Sequence, residues 1–369
     1  MPELIIVTAL GAGLAFGVTF CLTTVLARHA HRLGLIDVPR GRKDHAAPTP
    51  VVGGVAIFFG AFAGLAPPAM ALWHVPPHLL GFALAALIVV ISGVLDDAFD
   101  VRWYLRLAAQ AAAAMLIVEV GDVRVEHLGP LFGLEDLKLG ALSTPVTVIA
   151  TVGVINALNM IDGVDGLAGS LSAAALFMLF VAALYSGNII LACGLAVAIA
   201  AVLAFLCLNL RSPWQKQARV FMGNSGSALL GLLIAWALFR LTQSPEHPVT
   251  PILGAYFVAV PVIDCFAVIA RRLSRGVSPV HADREHVHHL LLDAGLRPST
   301  IVLFLSLVAL IIGLGGSLAF RAGVQEPVLV LAFLLLGGWY AWFTNSRQRI
   351  GALVARLGGP PVPAVGLAE

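Results

Sequence analysis

Two adjacent carboxylates, Asp96 and Asp97, close an apolar run in the segment Gly93-Val-Leu-Asp-Asp-Ala-Phe-Asp100-Val-Arg102-Trp-Tyr-Leu-Arg106. Like charges this close either raise one another's pKa or share a divalent cation that neutralises them. Asp100 lies within reach of the same face, and Arg106 is placed to meet a phosphate. A solvated loop at a membrane surface is the plain alternative.

Four further segments carry chemistry-bearing residues. In Asn156-Ala-Leu-Asn159-Met-Ile-Asp162-Gly-Val-Asp165-Gly-Leu, the residues Asn156, Asn159 and Asp162 fall three apart, near one helix face. Gly163 and Gly166 allow close backbone approach and a broken helix. Amide and carboxylate oxygens beside glycines suit a Mg²⁺–diphosphate or a nucleotide; the spacing of a calcium loop is absent, and a helix-breaking turn is the bland reading. Val220-Phe221-Met-Gly223-Asn224-Ser225-Gly226-Ser227 opens an apolar helix. Its N–H groups favour an anion and Phe221 is placed to stack on a base, although an ordinary N-cap reads equally well. In His281-Ala-Asp283-Arg284-Glu285-His286-Val-His288-His289 the spacing does not match a zinc site. It reads better as a phosphate clamp, with Arg284 beside hydrogen-bonding imidazoles of His286, His288 and His289, against a solvated loop. Arg42-Lys43-Asp-His45-Ala-Ala-Pro48-Thr-Pro50-Val-Val-Gly53-Gly54 looks like a shaped loop at the rim of a site.

The elements that must position these residues are membrane helices. The chain has 369 residues, is 59% hydrophobic and 11% charged, and its mean hydropathy is +0.95. A soluble domain is nearer half apolar and a quarter charged, so one water-soluble core is excluded. Apolar runs fall at roughly 3–27, 51–72, 78–98, 104–120, 143–160, 166–187, 188–209, 221–240, 251–270, 299–320 and 326–344. The expectation is an all-α polytopic membrane protein of about 11 transmembrane helices, with one membrane-embedded domain over 1–357 and a disordered cytoplasmic tail over 358–369. The first run lacks a cationic flank and a clear cleavage site, so it reads as a retained helix. Cys21, Cys193, Cys207 and Cys265 all lie in apolar runs and read as buried helix residues. A net charge of +2 offers no nucleic-acid-binding face.

With the N-terminus periplasmic, 18 of the 22 Lys and Arg residues fall on the cytoplasmic side and 4 outside. The opposite topology inverts that bias, so the C-terminus is expected in the cytoplasm. All five polar segments then gather on the cytoplasmic surface, although the orientation was set from Lys and Arg alone.

Together the motifs resemble the polyprenyl-phosphate N-acetylhexosamine-1-phosphate transferases, in their WecA/TagO-like branch. GVLDDAFDVR, NALNMIDGVDGLAG and DREHVHHLL carry the resemblance, which runs from about Leu35 to Leu296. It implies transfer of N-acetylglucosamine-1-phosphate, or that of another N-acetylhexosamine, from a UDP-sugar to undecaprenyl phosphate. UMP leaves, Mg²⁺ or alternatively Mn²⁺ assists, and the setting is the first membrane step of a cell-surface glycan such as O-antigen. By resemblance Asp96 matches the proposed base, Asp97 lies beside the metal, and Asn159 and Asn224 match metal ligands. Phe221, Gly223 and Asp165 match uridine-pocket positions, Asp162 belongs to the same substrate-binding segment, and Arg106 matches a phosphate-binding residue. The loop of Arg284, His286, His288 and His289 matches a substrate-binding element, with His45 at the rim. Localisation in a bacterial inner membrane with the site facing the cytoplasm is implied, and a homodimer is an expectation.

One position departs from the pattern. The family usually reads Gly-Asp where this chain has Gly223-Asn224. An amide oxygen still ligates Mg²⁺ but brings no charge, so a raised Mg²⁺ requirement is expected. A single displacement with Asp96 as base is favoured over an aspartyl-phosphate intermediate. The rival classes are an ion-coupled transporter, for which Asp264 within a span is the best residue, a CDP-alcohol phosphotransferase, whose arginine-bearing signature is absent, and a non-catalytic scaffold.

Overall fold

Each apolar run becomes helix because a backbone out of water must satisfy its own N–H and C=O groups. The structure, a computed structural model, describes residues 2–38, 48–70, 76–131, 133, 135–243, 249–279 and 283–358. The helices are α1 (Pro2–Leu33), α2 (Gly53–Met70), α3 (Pro77–Phe99), α4 (Trp103–Glu119), α5 (Ser143–Ile161), α6 (Leu167–Tyr185) and α7 (Ile189–Asn209), followed by α8 (Gly223–Thr242), α9 (Pro251–Phe257) and α10 (Ala259–Ser274). Then come α11 (Val287–Asp293), α12 (Pro298–Arg321), α13 (Glu326–Thr344) and α14 (Arg347–Arg356). A two-residue antiparallel ribbon, β1 (Ile36–Asp37) with β2 (Thr49–Pro50), lies between α1 and α2.

Among the described residues, eight helices are long and apolar enough to cross a membrane, and α9 with α10 makes a ninth if that bent pair is one span. The protein is therefore an all-α polytopic membrane protein. Helices stand at all eleven expected positions, but two fall short of that measure. The apolar helix in α2 is short. The helix α4 has 17 residues and carries Arg106 and Glu119. The ninth run, expected to be continuous, bends by 83° between α9 and α10. Pro261 explains the break: it has no N–H to give the carbonyl of Phe257, so the ladder is interrupted there and resumes at Val262, which donates to Val258.

The hub is α8, with 89% of its apolar window buried, whereas α13 has 11%. Three neighbours approach α8 through glycines. A Cβ on Gly93 of α3 would strike the Ser225 backbone, one on Gly54 of α2 the Gly226 backbone, and one on Gly231 of α8 the Ile155 backbone of α5. Small residues let helix backbones close in where no hydrophobic force drives them together. The outer helices present Leu303, Ile311, Leu334 and Leu335, all exposed, as a membrane protein requires of its lipid-facing surface.

Candidate active site

The α3 C-terminus meets the α8 N-terminus. The residue before α8, Met222, caps nothing with its own side chain. Asp97 supplies that cap from α3 instead: its Oδ1 accepts the Asn224 N–H at 2.8 Å, and its Oδ2 accepts the Ser225 N–H at 3.4 Å and the Ser225 hydroxyl at 3.3 Å. A carboxylate is stabilised there by the unpaired N–H groups and the helix dipole. Gly223 makes the junction possible. Its φ is 75°, and a Cβ on it would meet Val51 and the Asp97 carboxylate.

Asp96, buried beside Asp97, is the acceptor at the centre of a polar chain. Its Oδ2 accepts from Arg106 Nη1 at 2.8 Å and from Asn224 Nδ2 at 2.7 Å, while Oδ1 accepts the Val101 N–H at 2.9 Å. Asn224 Oδ1 in turn accepts from Asn159 Nδ2 at 2.7 Å, and the same Nδ2 reaches Ser227 Oγ at 2.9 Å. Residues from α3, α4, α5 and α8 thus form one connected group. Behind it, Asn156 donates to Gln110 at 2.7 Å.

Asp162 ends α5 next to this group. Desolvation pushes its carboxyl up to about 7, and repulsion from Asp97 and then Asp165 adds to the shift. Its side chain is still open to solvent, so the carboxyl sits in a crowded, accessible recess. Asp165 is committed to Arg211 at 2.6 Å and to the Ala218 N–H at 3.2 Å, which ties the α5–α6 turn to the segment before α8. Phe221 is half-buried. Its N–H donates to the Pro50 carbonyl at 2.7 Å, and its own carbonyl accepts the Gly53 N–H at 3.0 Å. The Pro-Thr-Pro and Gly-Gly segment is therefore stitched by backbone to the α8 junction, while His45 lies outside the described residues.

The expected phosphate clamp of Arg284 with the imidazoles of His286, His288 and His289 is distributed differently. Arg284 pairs with Asp293 at 2.8 Å. His286 is buried with Nδ1 2.6 Å from Asp264 Oδ2. His288 is held down to about 3 by burial first and by repulsion from His289 next, so its imidazole is neutral and serves as a packing element. Its ring stacks on His286 at 5.7 Å and meets the tilted ring of His289 at 4.2 Å. Gly163 packs directly on that ring, with a Cβ there striking His288 Nε2. The Asn156–Asp165 segment and the histidine loop are thus in contact. Gly163→Ala is expected to displace His288 and lower activity roughly tenfold or more, because a buried ring has no room to yield. Activity of the purified variant against its melting temperature checks this.

A cavity of about 1050 Å³ joins these groups. At one end it is lined by Asp96, Arg106, Asn159, Asn224, Arg272, Asp283, His286 and His289. It reaches Thr242, Gln243, Val125 and Leu128 at the other, past Val146, Ile149, Val262, Phe266 and Ile269. Since Asn224 and Thr242 sit at opposite ends of α8, the cavity spans the helix length, about 30 Å. Asp97, Asp162, Asp165, Phe221, Gly223, Arg284 and His288 do not line it. Arg272 and Gln110 carried no signal in the sequence, and Asp283 stood in the histidine segment without a role. Arg272 grips Asp283 through two hydrogen bonds, at 2.7 and 3.0 Å. Burial raises the Asp283 pKa, but the Arg272 hydrogen bonds, the Glu285 N–H and the nearby positive charge together outweigh it and hold the carboxyl below its usual range. Both residues fall near an apolar boundary, where an arginine reads equally well as topological bias.

Carboxylate oxygens of Asp97 and Asp162 and amide oxygens of Asn159 and Asn224 are the donor kind that a hard divalent cation takes. Asp97 and Asp165 add their repulsion to the Asp162 carboxyl, and a divalent cation would relieve it. The residues fit Mg²⁺ in kind, although among the described residues no three His, Cys, Asp or Glu side chains form a metal-holding group, so amides must complete the set.

The glycosyl transferase family 4 pattern matches residues 79–242. An undecaprenyl-phosphate alpha-N-acetylglucosaminyl 1-phosphate transferase of Haemophilus influenzae is 36% identical over 358 residues, covering 96% of both chains. The protein of the same description from Pasteurella multocida is also 36% identical, over 355 residues and 96% of both chains. That of Escherichia coli (strain K12) is 32% identical over 329 residues, 89% of this chain and 88% of its own. On sequence, spans and a connected polar site, the chain belongs to the undecaprenyl-phosphate N-acetylglucosaminyl 1-phosphate transferase family.

Proposed function

We propose that this protein transfers N-acetylglucosamine-1-phosphate from UDP-N-acetylglucosamine to undecaprenyl phosphate, releasing UMP, as the first membrane step of a cell-surface glycan. The observation that carries this reading is the cavity: apolar along about 30 Å of α8, and lined at one end by Asp96, Arg106, Asn224 and His286. An amphiphile with a phosphate head and a long apolar tail matches that polarity, and 30 Å matches a bilayer's hydrocarbon thickness. The relatives' names supply the same acceptor lipid and the same sugar phosphate. The excess of Lys and Arg on the side of the polar clusters supports a site facing the cytoplasm of a bacterial inner membrane, with the eleven helical segments as spans. Substrate binding is assigned to Arg106 for phosphate, to the histidine loop for the sugar donor, and to Asp165 and Phe221 around the nucleotide.

Arg106 holds negative charge at the polar end, and Asp96, 2.8 Å from it, is placed to take any proton on the lipid phosphate. Both Asp96 oxygens already accept hydrogen bonds, which favours a base over a nucleophile and so a single displacement. Asp97 keeps the α8 N–H groups aligned, and the apolar walls exclude water from the acceptor. Asp97, Asp162, Asn159 and Asn224 would hold Mg²⁺ or Mn²⁺, which would supply charge neutralisation for the diphosphate and the leaving UMP.

Asn224 explains how this site tolerates its carboxylates: its amide donates to Asp96 where a carboxylate would repel it. Asn224→Asp is therefore expected to lower the half-saturating Mg²⁺ concentration roughly tenfold. It is also expected to lower the melting temperature without divalent cations and restore it with them. An unchanged Mg²⁺ dependence would remove Asn224 from the ligand set. The reading as a whole is tested by incubating purified protein with UDP-N-acetylglucosamine and undecaprenyl phosphate. UMP must appear only when both are present, and its absence would reject the function.

A further inference from the structure

The histidine loop is fastened to α10 residue by residue. Asp283 is held by Arg272, and Glu285 by Arg271 and Arg275. His286 is held by Asp264, which is 1% exposed and lies in the middle of an apolar span. Asp264 Oδ1 accepts the Val287 N–H at 3.0 Å and the Tyr340 hydroxyl from α13, while Oδ2 faces His286 Nδ1 at 2.6 Å. One carboxylate thus joins α10, the loop and α13.

A carboxylate whose Oδ1 accepts two donors offers an acceptor at Oδ2. The hydrogen on His286 therefore sits on Nδ1, and Nε2 is left for the opposite edge of the ring. His286 lines the cavity and Asp264 does not, so that edge is the one substrate meets. We infer that Asp264 is a positioning residue that locks His286 in the Nδ1–H form, so that Nε2 accepts a hydrogen bond from a hydroxyl or the acetamido N–H of the sugar donor. Of the charged groups at this end of the cavity, Arg106 and Arg272 only donate, and the carboxylates of Asp96 and Asp283 are taken up by those two arginines. A bare imidazole nitrogen adds an acceptor that recognises a sugar, where a cation recognises only its phosphate. A buried acceptor left facing the wrong group discriminates strongly between substrates. This inference rests on the proposed sugar-phosphate transfer.

Asp264→Asn tests it with almost no change of shape. Its oxygen stays with Val287 N–H and Tyr340, and its NH₂ then faces His286 Nδ1. The ring must move its hydrogen to Nε2, which turns the cavity edge from acceptor to donor. The KM for UDP-N-acetylglucosamine is expected to rise at least tenfold, with kcat changed less. In protein labelled with ¹⁵N-histidine, the wild-type His286 signal, assigned by its loss in His286→Gln, is expected to show Nδ1 protonated and Nε2 bare. The pattern is expected to reverse in Asp264→Asn. An active Asp264→Asn with unchanged KM overturns the inference. So does a wild-type ring protonated at Nε2, a result that stands even if the variant fails to fold. Wild-type protein that releases no UMP would reject the transfer reading instead, and the nitrogen spectra would still report the tautomer.

Discussion

Asp96→Asn is expected to lower the transfer rate by about 10²–10⁴-fold, the usual contribution of a positioned general base. The amide keeps the oxygen that accepts the Val101 N–H. It places NH₂ where Oδ2 accepted from Arg106 and Asn224, so donors face donors at 2.7–2.8 Å. That mismatch costs about 1–3 kcal/mol if nothing relaxes. A lowered melting temperature is therefore expected beside the lost activity, and the two must be separated. Binding of UDP-N-acetylglucosamine, measured on the detergent-purified variant, is expected to stay within a few-fold of wild type. A rate within tenfold of wild type with intact binding would take the base role away from Asp96.

Gly223→Ala is expected to reduce activity by about 100-fold or more, by misplacing groups that it never touches in the reaction. The left-handed φ of 75° costs an L-residue about 1–2 kcal/mol, and the new methyl would enter the space of the Asp97 carboxylate and Val51. Asp97 is the cap of α8 from another helix, so pushing it away frees the Asn224 and Ser225 N–H groups and shifts the Asn224 side chain that reaches Asp96. The variant is expected to remain folded, because the core of α8 is untouched. Circular dichroism and melting temperature beside the rate check this, and near-normal activity would mean that the junction is not what positions the site.

Much of the site was legible because polar residues at the ends of apolar runs have few bland explanations. Asp97 and Asn224 stand 127 residues apart, yet run order and Lys/Arg placement put both at one surface, and the structure joins them at 2.8 Å. Gly163 signalled close backbone approach, and it proves to pack against His288. Spacing cannot show which side chain lies opposite. Asp165 proves to hold Arg211, and the histidines looked alike until burial separated a neutral His288 from a His286 held by Asp264. Asp264 itself suited a transporter as a lone intramembrane acid. Its partners come from a loop after α10 and from α13, and no local pattern links them. The 83° bend after Phe257 was missed because apolarity continues through it, and only Pro261 marked the place.

The central claim is that the sugar moves together with its phosphate onto a lipid phosphate at the polar end of the α8 cavity. It is tested most directly by following UDP-N-acetylglucosamine labelled with ³²P in its β-phosphate, using purified protein and undecaprenyl phosphate. The account predicts that the label passes into the organic phase in a one-to-one ratio with unlabelled UMP. Label remaining in the aqueous phase as UDP, while the sugar enters the lipid, would contradict it.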